Sequence, residues 1–149
     1  MKNIYSNIIK FNSKNIIKII KIIKKNGIIG LPTETVYGLA GNAYSNNAIK
    51  KIFKIKKRLK KNPLIIHYYD LNHAQKDVIL NQKFYKMYKK FSPGPITYIV
   101  EKKSASRIKP AACANLKTVG IRFPKNKIIR KILKNLNFPL AMPSANKSS

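Results

Sequence analysis

The sequence is poor in acidic residues. Its 149 residues include four carboxylates, and these are Glu34, Asp70, Asp77 and Glu101. So few acids argue against a catalytic mechanism that uses a pair of carboxylates as acid and base. They also argue against a Mg²⁺ site built from protein ligands, because Mg²⁺ needs several oxygen ligands. We therefore expect no protein-held metal.

Cysteine and long apolar runs are scarce as well. The single cysteine, Cys113, excludes an internal disulfide, and with His67 and His73 it makes no zinc-ligand spacing. We expect a buried or unreactive thiol. Lysines interrupt the apolar pairs near the N-terminus, and no run approaches the ~20 residues of a membrane span. These features predict a cytoplasmic protein without a membrane partner.

Positive charge is abundant. The chain has 32 Lys+Arg against 4 Asp+Glu, a formal net charge of +28 and a pI near 10.4. Such a surface attracts polyanions, so nucleic acid is the first partner to consider. Drift in an AT-rich genome is an alternative cause, because lysine, isoleucine and asparagine have AT-rich codons and the lysines are dispersed. Either origin predicts weak, salt-sensitive tRNA or RNA binding without sequence preference.

Hydrophobic periodicity predicts one α/β domain over residues 1–149, with a mostly buried sheet. The helices are expected at 13–26, 46–57, 81–91 and 127–136, and four strands at 27–30, 96–100, 118–123 and 138–142. Residues 62–67 are expected to be a loop that leads into a further buried strand, which ends at His67.

Caps or apolar faces can be assigned to three of these helices. In the first, Ser13 is the expected N-cap and Gly27 the expected end, and Ile17 flanks the buried face. A basic amphipathic helix of this kind could also lie on a membrane, but the strand that follows at once favours a core position. In the helix at 46–57, Ser45 is the expected N-cap and Ile55 belongs to the apolar arc. In the helix at 81–91, Met87 and Phe91 are expected to point inward. Residues 102–116 have no periodicity and are interpreted as a long loop that lies over the site.

A dense polar stretch follows the first strand. Thr33, Glu34, Thr35 and Tyr37 lie within five residues, and such a group at a strand end is typical of a pocket. The alternative is a loop that starts at Pro32 and whose threonine hydroxyls cap its own backbone. Ser144 and Asn146 follow the last strand in the same way and are therefore also site candidates.

Several cationic side chains have informative positions. Lys56 falls within the apolar arc of its helix, so either the helix has ended and its charges are solvated, or Lys56 turns inward to meet an anion. Strand alternation puts Thr118 and Arg122 on one face, where an arginine beside a hydroxyl is a good anion clamp. His67, at a strand end, is either a satisfied polar group or a ligand.

Six motifs resemble the YrdC/TsaC family, the threonylcarbamoyl-AMP synthases, from about Gly27 to the end of the chain. In order they are Pro-Thr-Glu-Thr-Val-Tyr-Gly-Leu at 32–39, Lys-Lys-Arg at 56–58, Asn-Pro-Leu at 62–64, Pro-Gly-Pro-Ile-Thr at 93–97, Val-Gly-Ile-Arg at 119–122 and Pro-Ser-Ala-Asn at 143–146. The resemblance implies a YrdC-like twisted open sheet, flanked by helices, with a basic concave pocket.

The resemblance also implies a reaction. The family condenses L-threonine, bicarbonate and ATP into threonylcarbamoyl-AMP and pyrophosphate, and a downstream threonylcarbamoyl transferase modifies tRNA. By motif position, Thr35, His67 and Arg122 would bind threonine, and Lys56 and Arg58 would be catalytic, with Mg²⁺ carried on the ATP phosphates. The residues implied to bind ATP are Lys56, Arg58, Asn62, Thr118, Ser144 and Asn146.

Three departures from the family pattern bear on activity. Leu59 replaces a common proline, Asn126 replaces a common histidine, and the sequence ends at Ser149, before the family's last elements. We therefore expect threonine binding to persist better than ATP turnover, together with self-association through an unpaired sheet edge. The alternative functions are a non-catalytic RNA-binding module of the same fold and a decaying remnant in a reduced genome.

Overall fold

In the computed structural model, which describes residues 8–146, seven strands form one mixed sheet with five α-helices around it. The sheet order is β1-β2-β7-β3-β6-β5-β4, and β3 and β6 are parallel while the other neighbouring strands are antiparallel. The strands are β1 Ile29–Leu31, β2 Gly38–Asn42, β3 Ile65–His67, β4 Val78–Ile79, β5 Tyr98–Lys102, β6 Thr118–Arg122 and β7 Leu140–Ala141. The helices are α1 Ser13–Lys24, α2 Asn46–Lys56, α3 Leu71–Ala74, α4 Gln82–Phe91 and α5 Lys127–Lys134, with a 3₁₀ turn at Pro110–Cys113.

Side-chain caps define the helix starts. The Ser45 hydroxyl accepts a hydrogen bond from the Ala48 amide at 3.2 Å, as predicted for α2. The N-cap of α1 is Asn12 rather than Ser13, because the Asn12 side chain accepts from the Asn15 amide at 2.9 Å. The helix starts are therefore correct within one residue.

The two faces of the sheet are covered differently. On one face, Ile66, Val119 and Ile121 pack in the core that α2 and α4 complete. On the other face, Leu140 and Met142 pack under α1 and α5. This second layer covers the β1-β2-β7 side of the sheet, so part of the face over β3, β6 and β5 stays open. Because strand side chains alternate, residues next to the buried isoleucines point into this opening.

Three elements were absent from the sequence prediction. These are β2, α3 and β4. Strand β2 contains two glycines, which lower its strand propensity. A Cβ at Gly38 would clash with the Met142 side chain, so a larger residue there would require that side chain to move. Helix α3 and strand β4 have only four and two residues, too few for periodicity to reveal.

The predicted apolar faces were too wide. Ile17, Met87 and Phe91 are 59%, 43% and 37% exposed, and Ile55 of α2 is also exposed. In α1 it is Ile19 that is buried beside Ile16 and Ile23. Each helix contacts the sheet along a narrow stripe, so apolar residues at the edge of the arc remain in solvent.

The prediction that the loop at 102–116 lies over the site is wrong. The loop is held by the buried carboxylate of Asp77, which accepts hydrogen bonds from the Arg107 amide at 2.9 Å and the Ser106 hydroxyl at 3.2 Å. The same carboxylate accepts from the hydroxyls of Tyr44 at 2.5 Å and Tyr68 at 2.8 Å. Burial, together with this carboxylate, raises the pKa of both tyrosines. One buried acid therefore joins this loop to the core.

Cys113 lies in the 3₁₀ turn that ends this loop and is fully buried. Burial raises the pKa of its thiol, which keeps it protonated at neutral pH. The expectation of a buried thiol is confirmed. Within residues 8–146, no helix combines the length and the apolar character that a bilayer crossing requires.

We predict that Asp77→Asn lowers the free energy of unfolding by about 2–4 kcal/mol, because asparagine has one acceptor oxygen where the carboxylate uses two. One oxygen cannot serve both the two tyrosine hydroxyls and the Arg107 and Ser106 donors, so buried donors are left unsatisfied. Asp70→Asn is the matched control. Asp70 is partly exposed and caps α3 by accepting from the His73 amide at 3.0 Å, a bond that asparagine can also make. Its replacement should cost less than about 1 kcal/mol in urea unfolding. Equal losses from the two substitutions would contradict the role assigned to Asp77.

Candidate functional site

A cavity of about 330 Å³, here the Arg122 cavity, lies on the open part of the sheet face. Its volume is within the roughly 300–1,000 Å³ of small-molecule sites. Four segments surround it: the loop before β2, the segment before and within β3, the end of β6 and the segment after β7. The lining residues are Thr33, Thr35, Val36, Tyr37, Gly38, Arg58, Pro63, Leu64, Ile65, His67, Arg122, Met142, Pro143 and Ser144.

Arg122 is fixed at the end of β6. Its Nε and one terminal nitrogen donate to the Thr97 hydroxyl oxygen at 3.1 and 2.8 Å. Burial lowers the pKa of the guanidinium, while the negative charge of Glu34 opposes that shift. An arginine stays protonated in such surroundings, so the cavity contains a fixed positive charge. Its remaining N–H groups are suited to a carboxylate or phosphate.

Glu34 anchors the polar loop to the start of α5. Its Oε1 accepts hydrogen bonds from the backbone amides of Lys125 and Asn126, the second at 3.1 Å. Burial alone would raise the pKa of the carboxyl, but these amides and the Arg122 charge lower it. Its Oε2 is buried and has no hydrogen-bond partner among residues 8–146. Glu34 is therefore an ionised positioning group beside Arg122.

His67 is 2% exposed and is the register partner of Arg122 across the parallel β3–β6 pair. Burial and the Arg122 charge lower the pKa of its imidazole to about 4, against the smaller opposing effects of the Ile65 carbonyl and Glu34. His67 is therefore neutral at pH 7. It offers the cavity a hydrogen-bonding group without a second positive charge.

The loop before β2 both caps its own backbone and lines the cavity, so each of the two interpretations of this polar stretch is correct in part. The Thr33 hydroxyl donates to the Val36 carbonyl at 2.5 Å and accepts from the Thr35 and Val36 amides, each at 3.2 Å. Thr33 therefore caps its own loop, whereas the exposed Thr35 side chain lines the cavity. The loop is joined to the segment after β7, since the Ala145 amide donates to the Tyr37 carbonyl at 2.6 Å.

Arg58 lies at the cavity wall that precedes β3. Its Nε donates to the Asn62 carbonyl and one terminal nitrogen donates to the Pro63 carbonyl, both at 3.1 Å. Two residues earlier, Lys56 ends α2 with its side chain 6% exposed, and Lys57 turns the chain with a left-handed φ of 49°. The helix thus ends at Lys56, whose carbon stem is covered while its ammonium reaches the surface.

The Lys56 ammonium has no acidic or hydrogen-bonding partner within residues 8–146. Burial, and secondarily the charge of Arg58, lowers its pKa. A lysine with a buried stem and no protein partner is suited to an external anion.

The structure brings five of the nine predicted site residues to one cavity. These are Thr35, Arg58, His67, Arg122 and Ser144. The other four, which are Lys56, Asn62, Thr118 and Asn146, do not line it. Glu34 and Thr97 were missed as positioning residues, although both lie in quoted motifs. Glu34 also lies in the dense polar stretch that predicts a pocket, whereas motif membership was the only signal for Thr97.

A family model named Sua5_yciO_yrdC, with the description "Telomere recombination", matches residues 21–149. The chain belongs to the Sua5/YciO/YrdC family. The match spans all six motifs, and the resemblance inferred from them is confirmed.

Relatives within the Sua5/YciO/YrdC family carry a shared name. Proteins named threonylcarbamoyl-AMP synthase from Bacillus subtilis and Pyrococcus abyssi are 35% and 38% identical over 92% and 83% of this chain. The chain spans 40% and 36% of their lengths. The crystal structure of P. abyssi Sua5 complexed with L-threonine superposes with a TM-score of 0.87 at 33% identity, over 94% of this chain and 41% of that one. The α/β fold with an open twisted sheet is therefore that of the family.

The neutral state of His67 predicts a pH dependence of stability. Between pH 6.5 and 4 the unfolded chain binds a proton at this histidine and the folded chain does not, so unfolding becomes easier as the pH falls. We expect the parent to lose about 3 kcal/mol relative to His67→Gln over this window, and no difference to develop above it. Urea unfolding of both proteins from pH 4 to 7.5 measures this. Parallel stability curves would show that His67 is not held neutral.

Proposed function

We propose that this Sua5/YciO/YrdC domain makes threonylcarbamoyl-AMP from L-threonine, bicarbonate and ATP, releasing pyrophosphate, for threonylcarbamoyladenosine formation in tRNA by a separate transferase. The observation that carries the proposal is that Arg58 and Arg122 line one cavity together with Thr35 and the neutral His67. Two fixed guanidinium groups suit two anionic substrates, an amino-acid carboxylate and a polyphosphate. The names of the relatives support the same reaction.

Threonine would bind at the Arg122 end. Arg122, held by Thr97 and Glu34, would pair with the carboxylate, and the Thr35 hydroxyl would contact the side chain or the amine. A protonated histidine would repel the threonine ammonium, so a neutral His67 suits this end of the cavity. The pocket would therefore select for an amino acid of small volume with a free carboxylate.

ATP would bind from Arg58 outward. Arg58 and Ser144 line the cavity, and Lys56 lies two residues before Arg58. The Lys56 ammonium has no partner within residues 8–146. Thr118 and Arg122 share the open face of the sheet at opposite ends of β6. Four residues of strand separate their backbones by about 13 Å. A nucleotide extending from Arg58 toward Thr118, Asn62 and Asn146 would explain why those residues lie outside the cavity.

The chemistry would rest on positioning and charge neutralisation. The threonine amine would attack the bicarbonate carbon with loss of water, and a carbamate oxygen would then attack the α-phosphorus, which breaks the bond to pyrophosphate. Lys56 and Arg58 would stabilise the charge that develops on the phosphates. Arg58 lines the cavity, and Lys56 lies two residues before it at the end of α2.

Mg²⁺ would enter with the ATP phosphates. The described residues contain no group of three His, Cys, Asp or Glu side chains that could hold a metal ion. Glu34, Asp70 and Asp77 already accept hydrogen bonds from backbone amides. These side chains do not fit a protein-held Mg²⁺ site.

Pyrophosphate release tests the proposal. We expect the 149-residue chain to release pyrophosphate only when ATP, threonine and bicarbonate are all present. Arg122→Lys keeps the charge but loses the planar fork and the bonds to Thr97, so the KM for threonine should rise roughly 10- to 100-fold. Release that does not depend on threonine would contradict the proposal. A chain that binds RNA but neither threonine nor ATP would instead favour a non-catalytic RNA-binding module.

Arg58→Ala tests the ATP side separately. Loss of a charged hydrogen-bond donor should weaken ATP binding by about 1.5–3 kcal/mol in calorimetric titration. Lys60→Ala is the control, because it removes the same charge from an exposed position two residues away. If Arg58→Ala binds ATP as well as Lys60→Ala does, Arg58 is not part of the phosphate site.

A further inference from the structure

A second cavity, here the Arg107 cavity, has a volume of about 460 Å³ and lies where the loop after β5 meets the end of β2. None of the described residues lines both this cavity and the Arg122 cavity. Four of its lining side chains are cationic and none is acidic. The lining residues are Tyr44, Lys102, Lys103, Ser104, Ser106, Arg107, Ile108, Lys109 and Pro110.

The backbone of the Arg107 cavity is fixed. The buried Asp77 accepts from the Arg107 amide and the Ser106 hydroxyl, and its own carbonyl accepts from the Lys103 amide at 2.8 Å. The Lys109 amide donates to the Ala43 carbonyl at 3.1 Å. The cations are therefore presented by an ordered loop, which lowers the entropy lost when a ligand binds.

Arginine is informative in this chain because it is rare. There are four arginines among the 32 basic residues. The guanidinium groups of Arg58, Arg122 and Arg130 each donate to a carbonyl or hydroxyl oxygen. That of Arg107 makes no hydrogen bond or ion pair within residues 8–146, and it stacks on the Tyr44 ring with its Cζ 4.6 Å from the centroid.

Stacking holds the plane of the Arg107 guanidinium in place, and its paired N–H groups make no bond to the described residues. Such a group is preorganised to donate two parallel hydrogen bonds to a phosphate. Drift toward AT-rich codons explains a dispersed lysine background. It does not explain an arginine stacked in a cavity with three lysines around it.

We propose that the Arg107 cavity binds a phosphate of an RNA backbone. Arg107 covers the Tyr44 ring, and Ile108 is buried, so the cavity offers no free aromatic face for a nucleobase. A polyanionic strand suits it better than a single nucleotide, because the net charge of +28 favours RNA over a small ligand. The site is independent of the proposed synthase activity, since the two cavities share no residue.

The test compares two double variants of equal charge. Arg107→Ala with Lys109→Ala removes two cations from the cavity, and Lys86→Ala with Lys89→Ala removes two from the exposed side of α4. Fluorescence anisotropy with labelled tRNA and an unrelated RNA hairpin, over a range of salt, measures both. We expect the cavity variant to lose about tenfold in affinity for both RNAs and roughly 1–2 units in salt slope, and the α4 variant to lose about threefold at most. Equal losses would overturn the proposal in favour of a diffuse basic surface.

Two further arms separate the remaining outcomes. Arg107→Lys keeps the charge and loses the fork, so it should weaken RNA binding several-fold even if the double variant fails to fold. Equilibrium dialysis with ATP and with inorganic phosphate tests small ligands. If the cavity variants lose binding of these ligands but keep RNA binding, the RNA assignment is wrong. Pyrophosphate release should be the same in the cavity and α4 variants, so failure of this site and failure of the synthase proposal are distinguishable.

Discussion

The register of the parallel β3–β6 pair is the constraint on which the site depends. It places His67 beside Arg122 and Ile66 beside Ile121, and alternation sends these two pairs to opposite faces of the sheet. The isoleucines are fully buried under α2, so a shift of one residue would expose them and bury the arginine. Core packing therefore determines where His67 and Arg122 lie. Burial is the main cause of the low pKa of His67, and the charge of Arg122, which this register places beside it, lowers the pKa further.

The parts of the fold and site that could be predicted were those encoded by local periodicity. Alternation put Arg122 on the open face of β6, and helical spacing put Lys56 inside the apolar arc of α2; both positions are found in the structure. The contact between Glu34 and Asn126 joins residues 92 positions apart, and the contact between Arg122 and Thr97 joins residues 25 apart. No local pattern reports such pairs. The loop at 102–116 was misplaced for the same reason, because a single distant acid, Asp77, determines its path.

Scarcity makes acidic residues informative in a chain of this composition. Three of the four carboxylates accept hydrogen bonds from backbone amides. Asp70 caps a short helix in this way, Glu34 fixes the loop before β2, and Asp77 fixes the loop after β5. The last two loops line the two basic cavities. The chain has a net charge of +28, and the carboxylate next to each cavity offsets part of the local positive charge. Because neither carboxylate lines its cavity, the cavity itself stays cationic. These acids therefore act by holding backbone segments in place. None of them acts as an acid or base in the proposed reaction.

The two cavities also differ in what their arginines contact. Arg122 is restrained by Thr97 and faces a half-enclosed cavity with hydroxyls and a neutral imidazole, which suits a small zwitterion. Arg107 rests on an aromatic ring at the surface, next to a side of the core formed by Tyr44 and Ile108, and its fork is unused. That core belongs to the α2 side of the sheet, whereas Arg122 points to the opposite face. An RNA strand bound at Arg107 would thus leave the Arg122 cavity open. Small substrates and RNA would then not compete for the same positive charges.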